Sequence, residues 1–201
     1  MIDYKIEKAK DLIAVLILNH SKIEKIKGLH TIFFEINNNR FFLLQNYIDR
    51  LQLKHMLNIN QINKTTYTLE PNILTESILK ELNIQNNSLN TKTLNMNTFV
   101  LMFCLFARKQ KNEIIIPSNL NSNLMEFIAI FCKLKTDVYL EPDNEKFFVY
   151  NLKDFITQSI QLGRPYYETI QLLLLLNDID CKNVQKNREN IMRGRFEYAT
   201  I

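Results

Sequence analysis

Two apolar helical runs divide this chain, and the same series of elements follows each of them. "LIAVLILNHS" (Leu12 to Ser21) closes a helix from Tyr4 to Asn19 that has Ile6, Ala9, Ile13, Leu16 and Ile17 at helical spacing. "FVLMFCLFARK" (Phe99 to Lys109) is its counterpart, read as a helix to Arg108. After the first run, "HTIFFEI" alternates as a strand should, with Ile32, Phe34 and Ile36 on one face. "NNN" makes a turn and supplies a helix cap, and "RFFLLQNYIDRLQLKHM" is an amphipathic helix. "TTYTL" is a strand with a hairpin partner near Leu57 to Gln61, and "EPNILTESILKELNI" is a helix entered at Pro71. After the second run come the strand "EIII", the capped turn "PSN" and the helix "LNSNLMEFIAIFCKL". The strands "DVYLE" and "KFFVY" across "PDNE" follow, then the helix "LKDFITQSI".

The two series can be laid over one another without a gap, Thr31 on Asn112 through Glu70 on Asn151, a constant offset of 81. Internal repetition of this kind predicts an α+β fold of duplicated α-β-α-β-β-α units about a pseudo-twofold axis. The expected organisation is a first repeat over 1–84, a polar linker over 85–97, a second repeat over 98–162 and C-terminal helices over 163–201. That last part holds an apolar helix, "YYETIQLLLLL", and a basic segment, "KNVQKNRENIMRGR".

Composition narrows the chemistry. Three cysteines, Cys104, Cys132 and Cys181, lie far apart with no CxxC pair, as expected of a reducing compartment. His20, His30 and His55 lack metal-ligand spacing. With three glycines in 201 residues, a phosphate-cradling loop is hard to build, and no Ser/His/Asp set or nucleotide-binding motif is present. Neither apolar run approaches the ~20 residues of a membrane span, and no signal-peptide pattern opens the chain. The expectation is a cytoplasmic protein with no membrane partner and no cofactor. The net charge of +4 is mildly basic. Candidate nucleic-acid contacts are Lys22, Lys25 and Lys27 in the loop after the first helix, Arg108, Lys109 and Lys111 after the second, and Lys182, Lys186, Arg188, Arg193 and Arg195 in the basic segment.

This duplicated layout resembles the LAGLIDADG homing-endonuclease fold, in which the first helices of the two halves pair and the sheets form a saddle. Within that group it is most similar to the WhiA family of bacterial DNA-binding regulators, whose core is a degenerate homing-endonuclease domain. The residues that carry the likeness are "LIAVLILNHS", "LHTIFFEIN" and "FFLLQNYIDRLQL" in the first half. In the second they are "FVLMFCLFARK", "EIIIPSNLNSNLMEFIAIFCKL" and "EKFFVYNLKDF", with "NRENIMRGRFEYAT" beyond. The resemblance implies a regulator of transcription, cell division and chromosome segregation, bound to double-stranded DNA in the bacterial cytoplasm at the nucleoid. The helix-turn-helix domain that follows the basic segment in that family has no counterpart in these residues.

Active homing endonucleases end each paired helix on a metal-binding acid. Here the ends read Asn19-His20-Ser21 and Ala107-Arg108-Lys109, with no Asp or Glu at either. Two-metal phosphodiester cleavage needs carboxylates to hold the ions, so the expectation is a non-enzymatic protein. A period-2 reading turns Thr31, Phe33, Glu35, Glu113, Ile115, Asp137, Tyr139 and Glu141 away from the helices. That face is acidic with almost no Lys or Arg, a poor phosphate surface. The alternative to DNA binding is therefore a protein-interaction module using Glu35, Glu113, Asp137, Tyr139 and Glu141 against a protein partner.

Overall fold

The computed structural model describes residues 2–83, 90, 93–161, 168, 171–176, 180–186 and 189. It contains α1 (Ile2–Leu18), β1 (His20–Ile26), β2 (Leu29–Glu35), α2 (Asn38–Arg50), β3 (Ile59–Gln61), β4 (Thr66–Leu69) and α3 (Ile73–Leu82). The series then repeats as α4 (Met96–Phe106), β5 (Arg108–Gln110), β6 (Glu113–Pro117), α5 (Ser122–Thr136), β7 (Tyr139–Asp143), β8 (Lys146–Tyr150) and α6 (Leu152–Gln161). The two sheets have the same antiparallel order, β1-β2-β4-β3 and β5-β6-β8-β7. This is the α+β duplication the sequence predicts, with one strand more per repeat. The segment holding Lys22 and Lys25 is not a loop but edge strand β1. The second apolar helix stops at Phe106, so that Arg108 starts edge strand β5. Period-2 analysis missed both because β1 offers a single apolar residue, Ile23, on its inward face between charged positions, and β5 (RKQ) offers none.

The gapless overlay is also corrected. Phe34 pairs with Tyr67 across β2 and β4, and Ile116 pairs with Phe147 across β6 and β8. Matched core positions are thus 82 residues apart in one strand and 80 in the other. An offset of 81 would set core Ile32 on exposed Glu113. A one-residue slip in a strand exchanges its two faces, so the repeat must contain compensating gaps.

α1 and α4 pack against one another at the centre. Leu12 to Leu18 and Thr98 to Ala107 are all buried, so the second half of α1 and nearly all of α4 are apolar all round where neighbours enclose them, while the first half of α1 is charged and partly exposed. α3 adds to the wall around α1, and α2 and α5 to that around α4. One contiguous core joins both repeats. No helix among the described residues is long and apolar enough to cross a membrane. Within the apolar stretch after α6, Leu172–Leu175 form a 3-10 helix with Leu172, Leu173 and Leu175 buried; residues 166–167 and 169–170 of the helix expected there lie outside the described residues.

The many asparagines have a structural use. Asn37, Asn72, Asn95 and Asn121 each cap a helix, accepting from backbone N–H groups in its first turn. The most consequential is Asn95, in a capping box with Thr98 at the start of α4. Its Nδ2 donates to Asp11 Oδ1 of α1 at 2.6 Å, and Thr98 Oγ1 donates to the same oxygen at 3.4 Å. Asp11 is 4% exposed and lies 3.8 Å from Lys8 Nζ. One buried carboxylate therefore fixes where α4 begins along α1.

Burial raises the Asp11 carboxyl above its usual range, against the lowering effect of the Asn95 bond. A raised carboxyl favours the folded state most below the unfolded pKa, and that contribution fades as pH rises through the folded one. D11N keeps an acceptor for Asn95 and removes the charge. It should melt at a higher temperature than wild type at pH 7, with the gap closing as pH falls toward 4. D11L, which leaves Asn95 and Thr98 without their acceptor, should melt lower at every pH; thermal denaturation by circular dichroism checks both.

Candidate nucleic-acid interface

The ends of α1 and α4 meet at one cleft. Asn19, just past α1, and Ala107, the C-cap of α4, both line it, with Glu35, Asn37, Arg40 and Arg108. Its volume is about 340 Å³. Asn19 Nδ2 donates to Val15 O at 3.0 Å and closes the last turn of α1. Ala107 has no side chain to do the same, and Arg40 of α2 does it instead. Its guanidinium donates to Cys104 O at 2.7 Å and to Ala107 O at 3.4 Å. A cation at a helix C-terminus also suits the helix dipole. Burial lowers the Arg40 pKa from its ordinary value. Sequence reading missed Arg40, since nothing in "NNNRFF" signals a contact to a helix sixty residues later.

The edge strands leave this cleft in matched fashion. β1 and β2 join through Lys27-Gly28, and β5 and β6 through Lys111-Asn112. Lys27 and Lys111 both adopt left-handed backbone (φ 51° and 55°), a conformation costing a non-glycine residue roughly 1 kcal/mol. Gly28 follows with φ 89°, where a side chain would be strained. Lys22, Lys25 and Lys27 are exposed on the first hairpin, and Arg108, Lys109 and Lys111 on the second. Lys22 is cross-strand from Phe33 and Arg108 from Ile115, so both lie on the face turned away from the helices. Lys22 also forms an ion pair with Glu24.

Strand pairing places Thr31, Phe33, Glu35, Glu113, Ile115, Tyr139 and Glu141 on that open face, as alternation predicts. Asp137 is the exception. It ends α5 in left-handed conformation (φ 61°) and is not part of a strand. Ile115 is buried, although it is on the open side. Glu24, Glu70 and Asp143 add acids, while Lys22, Arg108 and Lys146 add cations that a reading without β1 and β5 could not place there. Charge is therefore partly sorted: on the hairpins six cations outnumber Glu24, Glu35 and Glu113, while Glu141 and Asp143 of β7 and Glu70 after β4 make the outer part acidic against Lys146. Lys182 and Lys186 are exposed on a helical stretch over 180–186, away from both hairpins in sequence. Arg188, Arg193 and Arg195 lie outside the described residues.

Glu35 is the one carboxylate lining the cleft, and no cluster of three potential ligands for a metal ion occurs among the described residues. This donor set, among the described residues, does not fit a divalent ion.

No protein-family model matches this chain. No curated protein matches it in sequence. Solved structures do, at the level of fold. A crystal structure of I-DmoI in complex with DNA and Ca is 14% identical, with a TM-score of 0.49, covering 79% of this chain and 90% of that one. A second, of mesophilic variants from the homing endonuclease I-DmoI, is 15% identical at a TM-score of 0.46, covering 77% and 94%. A third, of I-DmoI with DNA and Mn, is 14% identical at 0.46, covering 77% and 95%. The architecture, two α-β-β-α-β-β-α repeats around the paired α1 and α4, is given by the chain's own element order and strand pairing. The structures matched are of an endonuclease, against the expectation of a non-enzymatic protein drawn from the helix ends alone.

R40M keeps the stem and removes the charge-assisted bonds that close α4. It should lower stability by roughly 1.5–3 kcal/mol in urea denaturation, the range for hydrogen bonds to a charged group. Unchanged stability would mean that water closes the helix end equally well.

Proposed function

We propose that this protein binds double-stranded DNA, gripping the phosphate backbone with hairpins β1–β2 and β5–β6 on either side of the central cleft. The observation that carries this reading is the matched placement of Lys22, Lys25 and Lys27 with Arg108, Lys109 and Lys111 on two pseudo-equivalent hairpins. Phosphate contact releases condensed counterions and supplies most sequence-independent affinity. Two basic hairpins joined through a rigid core can follow one duplex without paying to order either. The paired left-handed lysines point the same way, since the cost of that backbone falls where a cation is held at a hairpin tip.

The finer reading is a regulator of the WhiA kind, acting in transcription, cell division and chromosome segregation. The duplicated layout and the basic segment from Lys182 to Arg195 support it. In that reading the segment adds affinity to the grip of the hairpins.

Fluorescence anisotropy of a labelled duplex, titrated at two salt concentrations, tests the proposal. Binding should weaken steeply with salt, and K27E/K111E should lower affinity by an order of magnitude and reduce the salt slope by about 1 per lost phosphate contact. Absence of binding at low salt would overturn it. Adding magnesium and examining the duplex afterwards decides whether the cleft cuts what the hairpins hold.

A further inference from the structure

The two repeats differ most at the outer edge of their sheets. In the first, Asn58 and Asn60 on one strand face Glu70 on the next. Both amides donate to its carboxylate, Asn58 Nδ2 at 2.7 Å and Asn60 Nδ2 at 2.5 Å. The set is closed on itself. At the matching positions of the second repeat stand Tyr139, Glu141 and Tyr150. The fold does not require aromatic residues there, because its own other half builds the same corner from amides and a carboxylate.

Tyr139 and Tyr150 are cross-strand partners, and each is 47% exposed. With Glu141, Pro142 and Asn151 they line a depression of about 400 Å³. Glu141 accepts a hydrogen bond from the Tyr150 hydroxyl at 2.9 Å, and that bond, with Glu113 nearby, raises the Tyr150 phenol above its ordinary pKa. The rings already attract cations from within the chain. Lys133 Nζ lies 3.9 Å from the Tyr139 ring centre, and Lys146 Nζ lies 4.5 Å from that of Phe148, the next outward residue on β8.

We infer that the Tyr139–Tyr150–Glu141 corner is a docking site for an arginine side chain presented by a basic peptide segment of a partner protein. An aromatic face attracts a guanidinium and stacks on its plane. A carboxylate beside it accepts the fork of N–H donors. Charge selects the occupant. Glu141 and Glu113 disfavour a phosphate beside Tyr150, and Lys133, which donates to the Tyr139 hydroxyl and lies over that ring, leaves the Tyr150 ring as the face on which an arginine would stack. The corner lies on the outer strands β7 and β8, whereas the proposed DNA grip lies on edge strand β5 and its hairpin, so the two can be occupied together.

The chain has eight tyrosines, so the Tyr139 and Tyr150 ring resonances are assigned by their loss in Y139F and Y150L. The test titrates the full chain with a triarginine peptide and, separately, with a single-stranded oligothymidylate, following tyrosine ring resonances and affinity by calorimetry. Triarginine should bind and shift the Tyr139 and Tyr150 resonances. E141Q and Y150L should each weaken binding at least fivefold, and neither should alter duplex binding. Triarginine that fails to shift these resonances, affinity unchanged in both variants, or oligothymidylate binding here in its place would each overturn the inference. Y139F keeps the ring and its cation attraction, and should retain most of the affinity; a loss as large as that of Y150L would assign the effect to the hydroxyl and contradict the stacking account.

Discussion

The dry contact between α1 and α4 is the constraint on which the rest of the molecule depends. The second half of α1 and nearly all of α4 are apolar on every side and cannot face water, so each must be walled in by its neighbours. Such an interface is slippery along its length, because one leucine packs much like the next. The Asp11–Asn95–Thr98 set removes that freedom by tying a polar point on α1 to the first turn of α4. Buried polar groups of this kind specify position more than they add stability. At the other end, Arg40 holds the last carbonyls of α4, so both ends of the central helix are fixed by side chains from other elements.

Placement of the sheets follows. Each central helix leads directly into an edge strand, so β1 and β5 both start at the cleft where α1 and α4 end. On these hairpins Lys22 and Arg108 share the open face with Phe33 and Ile115, whereas Lys25 and Lys109, across from His30 and Ile114, lie exposed on the helix side of the edge strands. The outer strands β7 and β8 carry Glu141, Asp143 and the exposed Tyr139 and Tyr150. A duplex gripped by the hairpins and a basic peptide held at the outer corner would meet different charge on the same surface. This sorting arises from which strand each charge occupies and is invisible in a net charge of +4.

Much of this was legible in the sequence. The apolar runs, the alternation in "HTIFFEI" and the order of elements in both halves were enough to recognise a duplicated α+β fold. The facing of Phe33, Glu35, Tyr139 and Glu141 also followed from period 2 alone. What escaped had physical reasons. β1 and β5 are edge strands with little apolar content, Ile23 and Ile26 three apart in β1 and none in β5, so no alternation marks them. The register of the repeat slipped by one because apolar content on neighbouring positions, as in "EIII" and "KFFVY", matches equally well in either frame. Arg40 and the Asp11 set act across more than sixty residues, beyond any local pattern. The helix ends were read correctly as lacking acids. The step from there to a protein without enzymatic activity asked more of two short stretches than they carry.

Hydrogen exchange of the full chain, free and saturated with a random-sequence duplex, tests the central claim most directly, because it reports on both hairpins at once and needs no substitution. The account predicts slowed exchange in residues 20–30 and 108–116 together, with the amides of β7 and β8 unaffected. Protection confined to one repeat, or protection of β7 and β8 in place of the hairpins, would contradict the grip proposed here.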